Sequence, residues 1–111
     1  MHFMPAELPG VYLIEPERLE DERGFFARTW CQREFAAHRL DMQLTQCNIS
    51  FNIRQGTLRG LHYQAAPHAE AKVIRCTMGA VYDVAVDLRP DSPTFKRWLA
   101  VELTAQNRIM V

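Results

Sequence analysis

Two-residue alternation in short runs limits most strongly what this chain can fold into. In residues 46–51 (QCNISF), Gln46, Asn48 and Ser50 fall on one face and Cys47, Ile49 and Phe51 on the other, because successive side chains of an extended strand point to opposite sides. Residues 57–64 (TLRGLHYQ) repeat the pattern, with Gly60, His62 and Gln64 opposite Arg59, Leu61 and Tyr63. Residues 10–15, 25–30, 73–77, 80–88 and 98–103 complete the strand-like series. Turns are expected at residues 21–24 (DERG), at Gly56, at Gly79 and at residues 90–93 (PDSP). Only residues 31–40, with Phe35, Ala36 and Leu40 at helical spacing, read as a helix. Many short strands with one early helix predict an all-β fold, an antiparallel barrel or double-sheet jelly roll.

With 111 residues and no repeat, linker or low-complexity segment, the chain reads as one domain over residues 1–111. Lys plus Arg and Asp plus Glu are 13 each. That balance gives no reason to expect nucleic acid or an anionic membrane as a partner. The apolar runs are too short to cross a bilayer, and the N-terminal sequence has no signal-peptide pattern. Cys31, Cys47 and Cys76 are odd in number and far apart, which predicts free thiols and a cytoplasmic location. His2, His38 and His68 are scattered and are expected at the surface.

The polar face of residues 46–51 can look at water or line a barrel that holds a polar ligand. The stretch from residue 56 to 79 bears on that choice. Gly56, His62, Gln64, Lys72 and Gly79 have a spacing that resembles the first cupin motif, in which a Gly is followed by a His-x-His pair, a Glu and a second Gly. Gln64 stands where the second His would be and Lys72 where the Glu would be. A protonated Lys offers a metal no lone pair, and an amide oxygen is a poor substitute for imidazole. The pattern therefore predicts a metal-free cupin without a cofactor, and disfavours a metal-dependent isomerase or dioxygenase.

Longer words carry a closer resemblance. They are DERGFF from Asp21, QCNIS from Gln46, LRGLHYQ from Leu58, then Lys72, GAVYDVAVDLR from Gly79, and SPT from Ser92. In this order and spacing they are similar to the signature of the dTDP-4-dehydrorhamnose 3,5-epimerase family, from about residue 10 to the last residue. The resemblance implies a cupin-like double-stranded β-helix and base-catalysed epimerisation of a dTDP-linked 4-keto-6-deoxyhexose in rhamnose-type deoxysugar synthesis. His62 would be the general base, since imidazole titrates near neutral pH. Lys72 would stabilise charge. Arg23 and Arg59 would hold the diphosphate, and Phe26, Gln46, Asn48 and Gln64 would contact the substrate. Asp83 has two readings, an orienter of His62 or Lys72, or a wall aspartate paired to a neighbouring Arg or Lys; Asp87 shares the second.

The resemblance also exposes departures. Family members commonly carry Glu two residues after the paired Phe, where this chain has Arg28, which predicts a different hold on the base or a changed nucleotide preference. The chain reaches Val111 before the family's second cupin motif, its Tyr acid and the carboxylate that partners the His. The fold is therefore expected to be incomplete at the C-terminus, and the chain to self-associate as a homodimer or higher, with little or no full turnover. The alternative function is a non-catalytic cupin remnant that binds a nucleotide-sugar or only itself.

Overall fold

Antiparallel pairing between segments close in sequence builds most of the regular structure. The computed structural model describes residues 1–40 and 43–111. Strand β1 (His2–Pro5) pairs with β2 (Tyr12–Glu15), from His2 opposite Glu15 to Pro5 opposite Tyr12. Strands β3 (Arg18–Asp21) and β4 (Gly24–Ala27) form a hairpin with Asp21 opposite Gly24. The tight turn has a sequence cause. Asp21 accepts the Arg23 backbone N–H at 2.9 Å, an Asp-capped turn, and Gly24 takes φ +133°, a value that side chains disfavour. Helix α1 (Gln32–Ala37) follows.

Strands β5 (Ala80–Val86) and β6 (Trp98–Thr104) form the longest ladder, from Ala80 opposite Thr104 to Val86 opposite Trp98. Their connection is organised by Asp87, which is 5% exposed. Its carboxylate accepts from Arg89 Nε at 2.8 Å, Thr94 Oγ1 at 2.7 Å, the Ser92 hydroxyl and the Arg89 backbone N–H at 3.0 Å. The Arg89 guanidinium also donates to the Pro9 carbonyl at 2.8 Å, fastening this turn to the β1–β2 loop.

One core cluster joins the chain's two ends to the helix. Ile14, Phe35 and Met110 are buried together, with Phe3, Tyr12, Trp30, Leu40 and Val73 packed against them. Met110 exchanges backbone hydrogen bonds with Ile14 at 2.8 and 2.9 Å, and Val111 does so with Ile74 at 2.8 and 3.0 Å. Phe35 meets Phe3 edge-on at 5.1 Å and Trp30 at 4.2 Å. His38, expected at the surface, is half-buried. Its ring stacks on Phe3 at 4.0 Å while Nδ1 donates to the Glu34 carbonyl at 2.9 Å. Cys76 is buried, Cys31 half-buried and Cys47 exposed, all as free thiols. No helix among the described residues is long and apolar enough to cross a membrane.

Three expected strands differ from the observed structure. Residues 46–51 and 57–64 carry no ladder, and residues 73–77 contribute only a bridge at Arg75 to Met110. Alternation marks which face of a segment is apolar, but a strand exists only when a neighbour satisfies its backbone groups. Among the described residues no strand pairs with residues 43–64, and their apolar side chains are uncovered, with Ile49 97% and Leu58 89% exposed. Conversely, β1 and β3 were not expected. Proline in one and a fully exposed, charged RLED in the other hide any alternation.

Candidate active site

The expected site residues lie on two kinds of support. Arg23 and Phe26 belong to the β3–β4 hairpin, Asp83 to β5, and Gln46, Asn48, Arg59, His62, Gln64 and Lys72 to the irregular stretch between α1 and β5. All except Asp83 are exposed. None is joined to another of the set by a hydrogen bond or ion pair among the described residues.

Each cation is instead held by a local partner. The Arg23 guanidinium donates from Nε, at 3.2 Å, and from a terminal nitrogen to Asp21 Oδ2, which pulls the Asp21 carboxyl below its ordinary range and raises Arg23. Arg59 donates from Nε to Asn52 Oδ1 at 2.7 Å and from its terminal nitrogen to the Phe51 carbonyl at 3.3 Å. Lys72 pairs with Glu70 at 2.8 Å. Asn52 and Glu70 are contributors that the sequence did not single out. The Lys72–Glu70 spacing of i, i+2 was the only available signal for one, and a bond across seven residues of irregular chain left none for the other.

His62 is the exception. It is exposed and has no hydrogen-bond partner among the described residues. Asp83 is half-buried on β5, opposite Val101, also without a hydrogen-bond partner among the described residues. Burial pushes its carboxyl above the ordinary range. Of its two readings, the pairing with a neighbouring Arg or Lys is therefore not the one observed; that pairing belongs to Asp87, whose carboxyl is driven far down by Arg89, then Ser92 and Thr94. Arg28 donates to Glu34 Oε1 on α1 at 2.8 Å. With the Met1 ammonium at 3.0 Å from the other oxygen, it holds the Glu34 carboxyl down to about 2.

A groove of about 730 Å³ opens elsewhere, lined by His2, Glu15, Glu17, Arg18, Glu20 and Arg108 among others. None of the expected site residues lines it. No three His, Cys, Asp or Glu side chains gather as a cation cluster among the described residues.

The sequence profile described as dTDP-4-dehydrorhamnose 3,5-epimerase matches residues 5–111. The chain belongs to that family. It is 44% identical over 109 residues to the dTDP-4-dehydrorhamnose 3,5-epimerase of Shigella flexneri, covering 97% of this chain and 60% of the relative. The crystal structure of the Bacillus anthracis epimerase with TDP and PPi bound superposes with a TM-score of 0.93 at 38% identity, over 98% of this chain and 62% of that one. The Legionella pneumophila epimerase in complex with dTDP-4-keto-L-rhamnose superposes at 0.78 and 33% identity, over 98% and 57%. The chain thus spans between 32% and 60% of the length of these curated relatives, and half or more in all but one of them.

Within this 3,5-epimerase family the fold is cupin-type, all-β with one short helix. The superposition on the Bacillus anthracis epimerase covers 98% of this chain, in which residues 43–64 carry no strand pairing among the described residues.

Proposed function

We propose that this chain is the base-bearing part of an epimerase acting on dTDP-linked 4-keto-6-deoxyhexoses, its 111 residues forming one partial cupin domain. The observation that carries the reading is His62, an imidazole with no hydrogen-bond partner among the described residues, in the word RGLHYQ inside the family match. A 4-ketone acidifies the protons on the adjacent C3 and C5. His62 takes one of them, the electron pair moves to the ketone oxygen, a proton drawn from solvent is delivered to the opposite face of the carbon, and the imidazolium releases its own proton to solvent. Lys72, released from Glu70, would lie beside the developing enolate oxygen and stabilise its charge. Arg23 and Arg59 present planar guanidinium groups suited to diphosphate oxygens.

Phe26, 71% exposed, offers an aromatic face to the nucleotide base. Gln46, Asn48 and Gln64 supply amide donors and acceptors. Asp83 orients His62 or Lys72 once substrate closes the site; an unpartnered half-buried carboxyl suits that task better than it suits packing. The TDP and PPi named with the Bacillus anthracis relative, and the keto sugar nucleotide named with the Legionella pneumophila one, support this ligand class. The uncovered apolar side chains of residues 43–64 favour self-association, as a homodimer or higher. No nucleic acid or membrane partner is proposed.

The test is deuterium uptake from solvent into dTDP-4-keto-6-deoxyglucose, followed by proton NMR, with wild type beside His62→Ala. Uptake at C3 or C5 that disappears in the variant is expected. Uptake unaffected by His62→Ala would remove His62 from the chemistry. No uptake by the wild type, with dTDP still bound, would leave a binding module.

A further inference from the structure

We infer that Leu19 is the residue that reads the thymine methyl group of a dTDP-linked substrate, on an apolar shelf that it forms with Phe26. The inference rests on the reading of the β3–β4 hairpin as part of the nucleotide site. Leu19 and Phe26 stand directly opposite each other in the hairpin ladder. Side chains paired in this way lie on one face, with their Cβ atoms about 5 Å apart. Both are large, apolar and open, at 66% and 71% exposure. A single exposed leucine is ordinary, but two facing apolar side chains make a continuous patch, the kind of surface that marks a binding site.

The other face of the hairpin is engaged. Phe25, opposite Glu20, points to that side, and the Arg108 guanidinium lies over its ring at 4.6 Å. The face of Leu19 and Phe26 is therefore the one turned away from Arg108. Asp21 lies two residues beyond Leu19 on β3 and shares this open face. Arg23 donates to the Asp21 carboxylate from Nε and a terminal nitrogen. The open face thus presents an aliphatic branch beside an aromatic ring and, a two-residue step of about 7 Å further along β3, a guanidinium whose acceptor a ligand can replace. That order matches a nucleoside diphosphate, in which a flat base is joined through a ribose to charged oxygens suited to Arg.

The two apolar residues have different tasks. An aromatic ring stacks on the face of any base, so Phe26 favours a nucleotide without choosing among bases. Leucine has no ring to stack. Its branched methyl groups pack against another aliphatic group, and the C5 methyl is the feature that separates thymine from uracil. Taking one methyl-sized group out of water is worth a factor of about four in affinity. Leu19 therefore supplies a roughly fourfold preference for dTDP over dUDP, and Phe26 supplies none.

The experiment is calorimetric titration of dTDP and of dUDP into wild type, Leu19→Thr, Leu19→Ile and Phe26→Ala, with the oligomeric state of each followed by sedimentation. The two nucleotides differ only in the methyl group, so their affinity ratio is insensitive to changes that weaken the whole site. Wild type should bind dTDP about fourfold more tightly than dUDP. Leu19→Thr, which keeps a β-branched side chain in the strand, should lose about fourfold for dTDP and bring the ratio to about one. Leu19→Ile should keep the preference, and Phe26→Ala should weaken both nucleotides while keeping their ratio. Equal binding by wild type, or a preference that survives Leu19→Thr, overturns the inference and leaves the nucleotide site standing. Loss of both nucleotides together in Leu19→Thr would make Leu19 a support of the hairpin and also overturns it. So does a change of oligomeric state in Leu19→Thr at unchanged ratio, which would give the patch to a second copy of the chain. Wild type that binds neither nucleotide removes the nucleotide site itself, and the inference with it.

Discussion

Replacing Phe35 with alanine should separate the part of this chain that holds itself together from the part that waits for a ligand. Phe35 is 0% exposed and sits between Phe3 and Trp30, at 5.1 and 4.2 Å. Removing its ring uncovers roughly 120 Å² of apolar surface, about 3 kcal/mol at ~25 cal/mol per Å². Losing two aromatic contacts adds roughly 1 kcal/mol. The sum, about 4 kcal/mol, lies within the ~3–5 kcal/mol range of buried Phe→Ala changes. For a domain whose whole stability is on the order of 5–15 kcal/mol, that is a large share. With a urea dependence of about 2 kcal/mol per M, the midpoint should fall by about 2 M. The reporter is built in, since Trp30 touches Phe35 while Trp98 is 62% exposed. Fluorescence of Trp30 during urea unfolding therefore follows this cluster. Phe26→Ala, on the open face of the β3–β4 hairpin, should leave the midpoint within about 0.3 M and weaken dTDP binding instead. A Phe35→Ala midpoint within about 0.5 M of wild type, at unchanged slope, would refute the assignment of the core to this cluster.

Three further outcomes follow from the charges. Asp87 is held below its ordinary range by Arg89, Ser92 and Thr94, so its contribution to stability is complete above the unfolded carboxyl value of ~3.9 and is lost as pH falls from there toward the depressed folded value. Asp87→Asn should lower the urea midpoint at pH 7, and the gap to wild type should close on acidification below pH ~4. Asp83 has the opposite sign. Burial raises it, so its relative stabilisation is present below ~3.9 and is lost as pH rises through the raised folded value. Asp83→Asn should therefore raise the midpoint at pH 7 and match wild type in acid, and a lowered midpoint at pH 7 would contradict its unpartnered burial. Arg59→Ala should weaken dTDP binding by about tenfold in low salt, measured by calorimetry, with the difference shrinking in 0.5 M salt.

The ladder of β5 and β6 was legible because the alternating run and its partner lie in the same chain, 11 residues apart, around a proline-bearing turn. The turn's interior was not legible. Nothing in PDSP says that Ser92 and Thr94 point back at Asp87 rather than outward. Helix α1 was placed correctly but drawn too long. His38 donates its backbone N–H to Phe35, and Leu40 donates to the same carbonyl, so the regular helix ends at Ala37 while the chain still turns inward to bury Leu40. Residues 46–51 and 57–64 show the limit most clearly. Their alternation is as clean as that of any strand in the chain, but pairing is a property of two segments and periodicity describes one.

The same distinction governs the candidate site. Words such as RGLHYQ lie inside the family match over residues 5–111. They do not encode which groups are engaged. Arg23, Arg59 and Lys72 each hold a nearby acceptor, at i−2, i−7 and i−2 respectively. For a ligand to use them, those exposed local pairs must exchange for phosphate or enolate oxygens. Exposed pairs are individually weak, typically worth about 0–1 kcal/mol, so in the proposed complex a diphosphate would displace Asp21 from Arg23, and an enolate oxygen would displace Glu70 from Lys72, at small cost. His62 has no such partner to leave among the described residues. The cations of this site are thus held by contacts a ligand can exchange, while the proposed base meets a substrate with no hydrogen bond to give up among the described residues.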